Sequence, residues 1–258
     1  MPKFAANLSM MFNEWPFLDR FDAAAAAGFA AVEFLFPYDF DPEAIADRLQ
    51  RNGLVQALFN LPPGDWAKGE RGIAALPDRF DELKAGLERA LVYVKATGVK
   101  RLHLMSGLAD RANPHAEASY RRAVAYAADT LASDGLDLLV EPINARNMPG
   151  YFLNDFRYAG AMIADLKRPN LKLQFDVYHR QIMHGDVVTG LRAQAPIIGH
   201  VQIASVPSRH EPDDEELNYP FLFAELDRAG YAGFVGCEYI PRAGTLAGLD
   251  WFQPYKRS

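Results

Sequence analysis

The chain has 258 residues, of which 50% are hydrophobic and 23% are charged. This balance supplies enough apolar side chains for one large core and excludes global disorder. The net charge of −6 argues against a protein that binds phosphate backbones or anionic membranes. The single cysteine, Cys237, cannot form an internal disulfide, which is typical of a reducing compartment, and we expect it to be an inert buried thiol.

No targeting or membrane segment is predicted. The N-terminus lacks a basic segment followed by a long apolar run, so it does not resemble a secretory signal peptide. No uninterrupted apolar stretch approaches the ~18 residues of a membrane span. We therefore expect a soluble, cytoplasmic protein in which residues 1–258 form one domain, with neither nucleic acid nor membrane as a partner.

Short apolar or alternating runs recur along the chain, and helix-like segments separate them. The length of these runs, their Val, Leu and Phe content, and the Gly and Pro residues that flank them favour strands. The predicted strands are Phe4–Leu8, Ala31–Phe34, Val55–Phe59, Arg101–Met105, Leu136–Glu141, Leu171–Asp176, Ile198–Ile203 and Phe234–Tyr239.

The segments between these runs carry helix start and stop signals. Asp41 is a candidate N-cap, Pro42 suits the first helical position, and an acidic residue follows before Ala44–Arg51. Several glycines lie between a helical segment and the next strand, where a left-handed residue is expected to end the helix. They are Gly28, Gly53, Gly98, Gly135 and Gly230.

The repeated strand–helix unit predicts the fold. Such units imply parallel strands with right-handed crossovers, and eight of them indicate an α/β protein built as a closed (β/α)₈ TIM barrel. An open doubly wound sheet is the alternative, because periodicity does not report closure. Neither a G-x-G-x-x-G fingerprint nor a P-loop motif is present in the sequence, so a dinucleotide or nucleotide site has no support.

Oxygen-bearing side chains lie at the ends of the last four predicted strands. They are Glu141, Asp176, Gln202 and Glu238. In a barrel these side chains would converge at the carboxyl rim, where buried carboxylates repel one another unless a cation lies between them. Oxygen donors without thiolates or clustered histidines favour Mg²⁺ or Mn²⁺ over zinc. The alternative is that each acid is a surface or capping residue, but four consecutive strand ends sharing the pattern speak against it.

Other polar residues near strand ends are candidates for substrate binding. His179 lies three residues beyond Asp176, and Arg209 lies seven beyond Gln202; a loop histidine and a solvated arginine are the alternatives.

Residues of the first four strands and one deeper histidine complete the candidate set. Asn60 and His103 fall at or near the ends of the third and fourth strands, as Asn7 and Glu33 do for the first and second. His200 points to the same side of its strand as Gln202 but lies deeper in the predicted barrel, so we expect it to be a core histidine.

Motifs spread over nearly the whole chain carry a family resemblance. They are FAANLSMMF, GFAAVEFLFPYDF, NLPPGDWAKGERG, VEPIN, QFDVYH, GHVQIA, and GCEYIPR with GLDWF, and the stretches NLPPGDWAKGERG and GCEY are not generic to barrels. Together they resemble the hydroxypyruvate isomerase family, within the xylose-isomerase-like barrels that also include sugar epimerases and AP endonuclease type 2. The resemblance implies divalent-metal ligands at Glu141, Asp176, Gln202 and Glu238.

The same resemblance implies roles for individual residues. Glu141 and Glu238 correspond to the pair that moves the proton, and His179 and Arg209 correspond to substrate-binding residues, although the spacing at Arg209 differs by one. Many members of the wider superfamily have a histidine where this chain has Gln202. The neutral amide oxygen further favours Mg²⁺ or Mn²⁺.

The implied reaction is the conversion of hydroxypyruvate to tartronate semialdehyde, and isomerisation of 2-oxotetronate is the close alternative. The opening MPKFAANLSMMF and the loop RHEPDDEELNYP resemble the 2-oxotetronate branch, whereas EPIN resembles the hydroxypyruvate isomerase branch. A ketose 3-epimerase, an AP endonuclease-like DNA enzyme and a non-catalytic barrel are more distant alternatives. The sequence leaves open whether the protein is a homo-oligomer.

Overall fold

The computed structural model describes residues 1–256 as a succession of strands and helices. The last two positions of the predicted domain, 257 and 258, lie outside the described residues. The strands are β1 Lys3–Asn7, β2 Ala31–Phe34, β3 Val55–Asn60, β4 Arg101–His103, β5 Asp137–Val140, β6 Leu171–Asp176, β7 Ile198–Ile203 and β8 Phe234–Cys237. The α-helices are α1 Arg20–Ala26, α2 Pro42–Asn52, α3 Phe80–Thr97, α4 Pro114–Ala132, α5 Phe156–Leu166, α6 Val177–His184, α7 Val187–Gln194 and α8 Tyr219–Arg228.

The strands form a closed parallel barrel in chain order. β1 pairs with β2, where Ala5 lies opposite Ala31, and also with β8, where Ala6 lies opposite Cys237. The second pairing closes the sheet, so the predicted TIM barrel is confirmed and the open doubly wound sheet is wrong. Closure brings the carboxyl ends of all the strands to one rim.

The second half of the chain departs from strict alternation of strand and helix. Two helices, α6 and α7, follow β6, and short 3₁₀ helices follow β8 in the part of the chain that the structure describes. One of them, Asp250–Tyr255, packs on the start of β1: the rings of Trp251 and Phe252 lie 5.1 and 5.9 Å from that of Phe4. Edge-to-face aromatic contacts therefore cover this side of the barrel, where an α-helix following β8 would otherwise pack.

Three helix ends show how the local sequence sets the element boundaries. Asp41 caps α2 by accepting a hydrogen bond from the Glu43 N–H at 3.0 Å, as predicted. Gly53 and Gly98 end α2 and α3 in the left-handed conformation, with φ of 59° and 71°. Glycine adopts this conformation without the steric cost that a Cβ would add.

Small apolar side chains from β1, β2 and β3 pack together inside the barrel, below polar groups of the carboxyl rim. Ala5, Ala31 and Ala57 form a small buried cluster with Phe234 beside it, separate from the larger core that contains the helices. Side chains two residues further along a strand point to the same side, so the buried Asn7 lies above Ala5. Among the helices of residues 1–256, none combines enough length with enough apolar character to cross a lipid bilayer.

Gly72 joins the loop after β3 to the loop after β4. Its N–H donates to the Pro63 carbonyl at 2.8 Å, and it forms an antiparallel bridge with Ser106. Its φ is +100°, and an added Cβ would overlap the backbone of Met105. Gly69 in the same loop has a φ of +92° but open space around it. Close approach of two backbones therefore requires glycine at position 72.

We expect Gly72→Ala to lower the free energy of unfolding by about 2–5 kcal/mol, because it combines an unfavourable φ with overpacking. Gly69→Ala carries only the backbone cost of about 1–2 kcal/mol and serves as the matched control. Urea unfolding of the two variants beside the parent protein measures the difference. Equal losses would show that the contact with Met105 does not hold the loop.

Candidate metal and catalytic site

Three acidic side chains from different strands meet at the carboxyl rim of the barrel. Glu141 follows the last residue of β5, Asp176 ends β6, and Glu238 follows the last residue of β8. Together with His179 on α6 they form a buried group whose potential ligand atoms all lie within 4.8 Å of one another. The structure thus brings together three of the four predicted metal ligands and adds a histidine that was predicted to bind substrate.

Burial and mutual repulsion disfavour the charged forms of the two glutamates. The pKa of Glu141 is raised well above its usual range by burial, and then by the charges of Glu238 and Asp176. Burial also raises the pKa of Glu238 to about 8, with a smaller contribution from Asp176, while Arg209 opposes the rise. A cation among these groups would remove the repulsion and favour all three carboxylates in ionised form.

The donor set fits a divalent cation. Glu141 Oε1 and Asp176 Oδ2 are buried without a hydrogen-bond partner. The other oxygen of Asp176 accepts from the His179 N–H at 3.0 Å, and Asp176 is the N-cap of α6. Buried carboxylate oxygens without donors are costly unless a cation binds them. The residues present are therefore suited to a hard divalent ion.

Gln202 on β7 lies beside this group with both ends of its amide engaged. Its Nε2 donates to Glu33 Oε1 at 2.8 Å, and its Oε1 accepts from Gln174 Nε2 at 2.5 Å. A hydrogen bond from Gln174 also lowers the pKa of the Glu141 carboxyl. The side chain of Gln202 is therefore connected to the group of acids through Gln174.

Asn60 and His103 form a neighbouring pair at the ends of β3 and β4. His103 Nδ1 lies 3.2 Å from Asn60 Oδ1 and 3.8 Å from Glu141 Oε2. Burial lowers the pKa of His103 to about 3, so the imidazole is neutral at pH 7. Its Nε2 is buried without a partner. This neutral ring can donate or accept one hydrogen bond without adding charge to the site.

His179 is also held as a neutral ring. Its Nδ1 lies 2.6 Å from Asn144 Nδ2, and its Nε2 lies 3.9 Å from Glu141 Oε1 and 3.8 Å from Asp176 Oδ2. Burial lowers the pKa of His179 to about 4. The Asn144 contact leaves Nε2 directed at the acids.

Arg209 places a positive charge at the same rim. Its Nη2 donates to Glu238 Oε2 at 2.7 Å, and its guanidinium lies 5.0 Å from the centre of the Tyr178 ring. Its backbone has a φ of +62°, in the left-handed region. Its Nε is buried without a partner. Arg209 is thus neither solvated nor paired with the acids that follow it in sequence.

Those acids pair with another arginine. Arg242 donates to Asp213 at 3.2 Å and lies 3.8 Å from both Asp214 and Glu215. Glu211 is buried and accepts from the Arg242 N–H at 3.0 Å. The positive charge of Arg242 is therefore paired with the acidic loop and offsets part of its negative charge.

Two residues of the site were missed from the sequence. Gln174 lies two positions before Asp176, so the alternation of β6 directs both to the barrel interior, and this signal was available. Asn144 lies three positions after Glu141 in the EPIN segment, outside any strand. Its contact with His179 depends on how the loop after β5 meets α6, which no local pattern reports.

Comparisons with known proteins agree with this architecture. The family model of the xylose isomerase-like TIM barrel matches residues 21–255. A 2-oxo-tetronate isomerase of Cupriavidus necator is 55% identical over 257 residues, which cover 99% of each chain. A hydroxypyruvate isomerase of Escherichia coli K12 is 44% identical over 258 residues, covering 99% of this chain and 100% of the other.

A solved structure extends the agreement to the whole chain. The crystal structure of a protein from Brucella melitensis, described as an AP endonuclease of family 2, has a TM-score of 0.97 and 52% identity, with 100% of both chains covered. Strand order, closure and sequence thus point to the same group of proteins. The chain belongs to the xylose isomerase-like TIM-barrel family.

Proposed function

We propose that this protein isomerises small 3-hydroxy-2-oxo acids, with hydroxypyruvate and 2-oxotetronate as the two candidate substrates. The observation that carries the proposal is the group of three buried carboxylates with Arg209 hydrogen-bonded to one of them. Acid–base groups and a cation-binding set suit proton transfer next to a carbonyl. The arginine suits an anionic substrate. The names of the two curated relatives above support the same class.

The proposed reaction moves one proton between adjacent carbons. In hydroxypyruvate, C3 loses a proton and C2 gains one, while the hydroxyl proton passes from the C3 oxygen to the C2 oxygen. The ketone becomes an aldehyde, and no atom enters or leaves. The negative charge of the enediolate develops on oxygen, so groups that stabilise an oxyanion lower the barrier.

The two glutamates are placed to handle the proton. Arg209 favours the ionised form of Glu238, so we assign proton abstraction to Glu238 and proton return to Glu141. Bound Mg²⁺ or Mn²⁺, held by the three carboxylates and the Gln202 oxygen, would supply positive charge beside the substrate oxygens. His103, held by Asn60, would hydrogen-bond the substrate without adding charge.

Arg209 is proposed to bind the substrate carboxylate, since its guanidinium offers two parallel donors. Its unpartnered Nε and its fixed place over Tyr178 leave donors available at the rim. His179 is proposed to contact a substrate oxygen through Nε2. Of the three-carbon and four-carbon acids, we favour 2-oxotetronate as the substrate, because the relative with 55% identity is named 2-oxo-tetronate isomerase.

The alternatives differ in what their substrates require. A ketose 3-epimerase acts on uncharged sugars and does not need the arginine, so fructose and tagatose are the comparison substrates. An AP endonuclease-like activity requires several zinc-ligating histidines and a basic groove. The group found here has one histidine, and the chain carries a net charge of −6. Cleavage of abasic DNA at physiological salt would nevertheless favour that activity.

Glu141→Gln and Glu238→Gln should each lower kcat on the keto acids by about 10²–10⁴-fold, because each removes one acid–base group while keeping size and an oxygen donor. Metal content is measured alongside, since both residues are proposed ligands. Glu117→Gln is the matched control, because Glu117 binds Arg121 and Tyr158 outside the site. Near-normal turnover in either site variant would contradict the assigned roles.

Removing divalent metal with a chelator should abolish turnover, and Mg²⁺ or Mn²⁺ should restore it. Either ion at 100 times its Kd should also raise the Tm by roughly 5–10 °C, because it binds only the folded state. Differential scanning calorimetry with and without the ion measures this shift. Asp176→Asn should lose most of it, and an unchanged Tm in the parent protein would contradict the metal site.

Arg209→Ala should lower kcat/KM on both keto acids by about 10- to 100-fold, the size expected for a lost charged hydrogen bond. Arg209→Lys should recover only part, because an ammonium lacks the planar pair of donors. Arg242→Ala is the control, since that arginine is already paired with the acidic loop. If kcat/KM falls in Arg242→Ala but not in Arg209→Ala, the anion site lies elsewhere than at Arg209.

A further inference from the structure

A second polar layer lies directly beneath the group of carboxylates. Its centre is Glu33 on β2, whose side chain is fully buried. Glu33 Oε1 accepts from Gln202 Nε2 at 2.8 Å and from Asn7 Nδ2 at 3.1 Å, while Oε2 lies 2.6 Å from His200 Nε2. Three side chains from β1 and β7 therefore converge on one carboxylate inside the barrel.

The barrel backbone leaves space for this carboxylate. Gly236 on β8 faces Glu33, and an added Cβ would overlap both carboxylate oxygens. Gly236 does not have a positive φ, so the lack of a side chain, and not backbone freedom, is what the position requires. A glycine two residues before Glu238 thus allows Glu33 to reach the barrel axis.

The Glu33 carboxylate determines which way the Gln202 amide faces. Carboxylate oxygens accept hydrogen bonds, whereas an amide has a donating and an accepting end. The NH₂ of Gln202 must therefore face Glu33, and its Oε1 must point away, where it accepts from Gln174 Nε2 at 2.5 Å. Gln202 also lies opposite Asp176 in the pairing of β6 with β7, so its oxygen is directed at the strand that carries the proposed ligand Asp176.

The same carboxylate orients a second amide. Asn7 Nδ2 faces Glu33 at 3.1 Å and Glu238 Oε1 at 3.5 Å, while Asn7 Oδ1 accepts from the Ser9 N–H at 3.1 Å. Asn7 therefore presents its donor to both carboxylates. Glu33 is connected to Gln202 directly and to Glu238 through Asn7.

We propose that Glu33 is a positioning residue, which holds the Gln202 amide with its oxygen towards the carboxylate group and so completes the metal-binding set. This inference rests on the proposed function, in which Gln202 is a ligand. Residues behind a ligand orient it, and their loss typically weakens metal binding 10- to 100-fold. The competing explanation is that Glu33 only pairs with His200 to stabilise the barrel.

The two explanations differ in what Glu33→Gln does to metal affinity. A glutamine at position 33 can turn either its oxygen or its NH₂ towards Gln202, so the orientation of the ligand is no longer imposed. We expect the variant to bind Mn²⁺ about 10- to 100-fold more weakly than the parent protein, measured by isothermal titration of the metal-free forms. Unchanged affinity in a folded variant would overturn the proposal.

His200→Gln is the control for the structural explanation. It removes the imidazole partner of Glu33 but retains a side-chain donor, and leaves Glu33 Oε1 free to bind Gln202 Nε2. We expect a lower Tm with Mn²⁺ affinity near that of the parent. Equal loss of affinity in His200→Gln and Glu33→Gln would favour the structural role and overturn the proposal.

A reciprocal exchange tests the hydrogen bond itself, even if Glu33→Gln alone does not fold. Gln202→Glu places two carboxylates in contact and should bind Mn²⁺ poorly. Combining it with Glu33→Gln restores a donor–acceptor pair with the roles reversed, and should bind Mn²⁺ at least about tenfold more tightly than Gln202→Glu alone. No recovery in the double variant would overturn the proposal.

Failure of the inference is distinguishable from failure of the proposed function. If the parent protein does not bind Mn²⁺, the metal site itself is wrong. If the parent binds Mn²⁺ and Gln202→Leu binds it equally well, Gln202 is not a ligand and the inference fails, while the carboxylate site stands. If Gln202→Leu is impaired but Glu33→Gln is not, only the positioning role is wrong.

Discussion

The rest of the site depends on the repulsion among three carboxylates held in one buried space. Glu141, Asp176 and Glu238 lie on separate strands, and closure of the barrel forces their oxygens together at the rim. Water cannot screen charges there, so like charges raise the cost of ionisation. The positive charge of Arg209 offsets part of this repulsion. The carboxylate oxygens that have no hydrogen-bond donor are suited to a bound cation, which would offset the rest.

The residues around the acids keep them close without neutralising them entirely. Neutral His103 and His179 approach Glu141 to within 4 Å and add no charge. Below them, Glu33 is compensated by Asn7, Gln202 and His200, so this deeper carboxylate has donors at both oxygens. In the part of the chain that the structure describes, the buried carboxylate oxygens without a hydrogen-bond partner therefore lie at the rim and not beneath it.

A barrel of this kind does not by itself specify a substrate, because many reactions share the fold. In the proposed function, specificity depends on side chains that project from loops beyond the strands. Arg209 is fixed by a left-handed backbone, by Tyr178 and by Glu238, so its charge has a defined place. An arginine held in this way distinguishes an anionic substrate from a neutral sugar more sharply than the shape of the barrel does.

Local sequence determined the strands, the helix ends and the carboxylates at or just beyond the ends of β5, β6 and β8, because alternation and capping act over a few residues. It also gave Asn60 and His103 as rim residues. The partners of these groups came only from the tertiary structure. The sequence allowed Arg209 to pair with the nearby acidic loop, yet it binds Glu238, and Gln202 contacts Glu33 from 169 positions away. Such contacts form when the barrel closes, since closure alone makes residues distant in the chain neighbours across its axis.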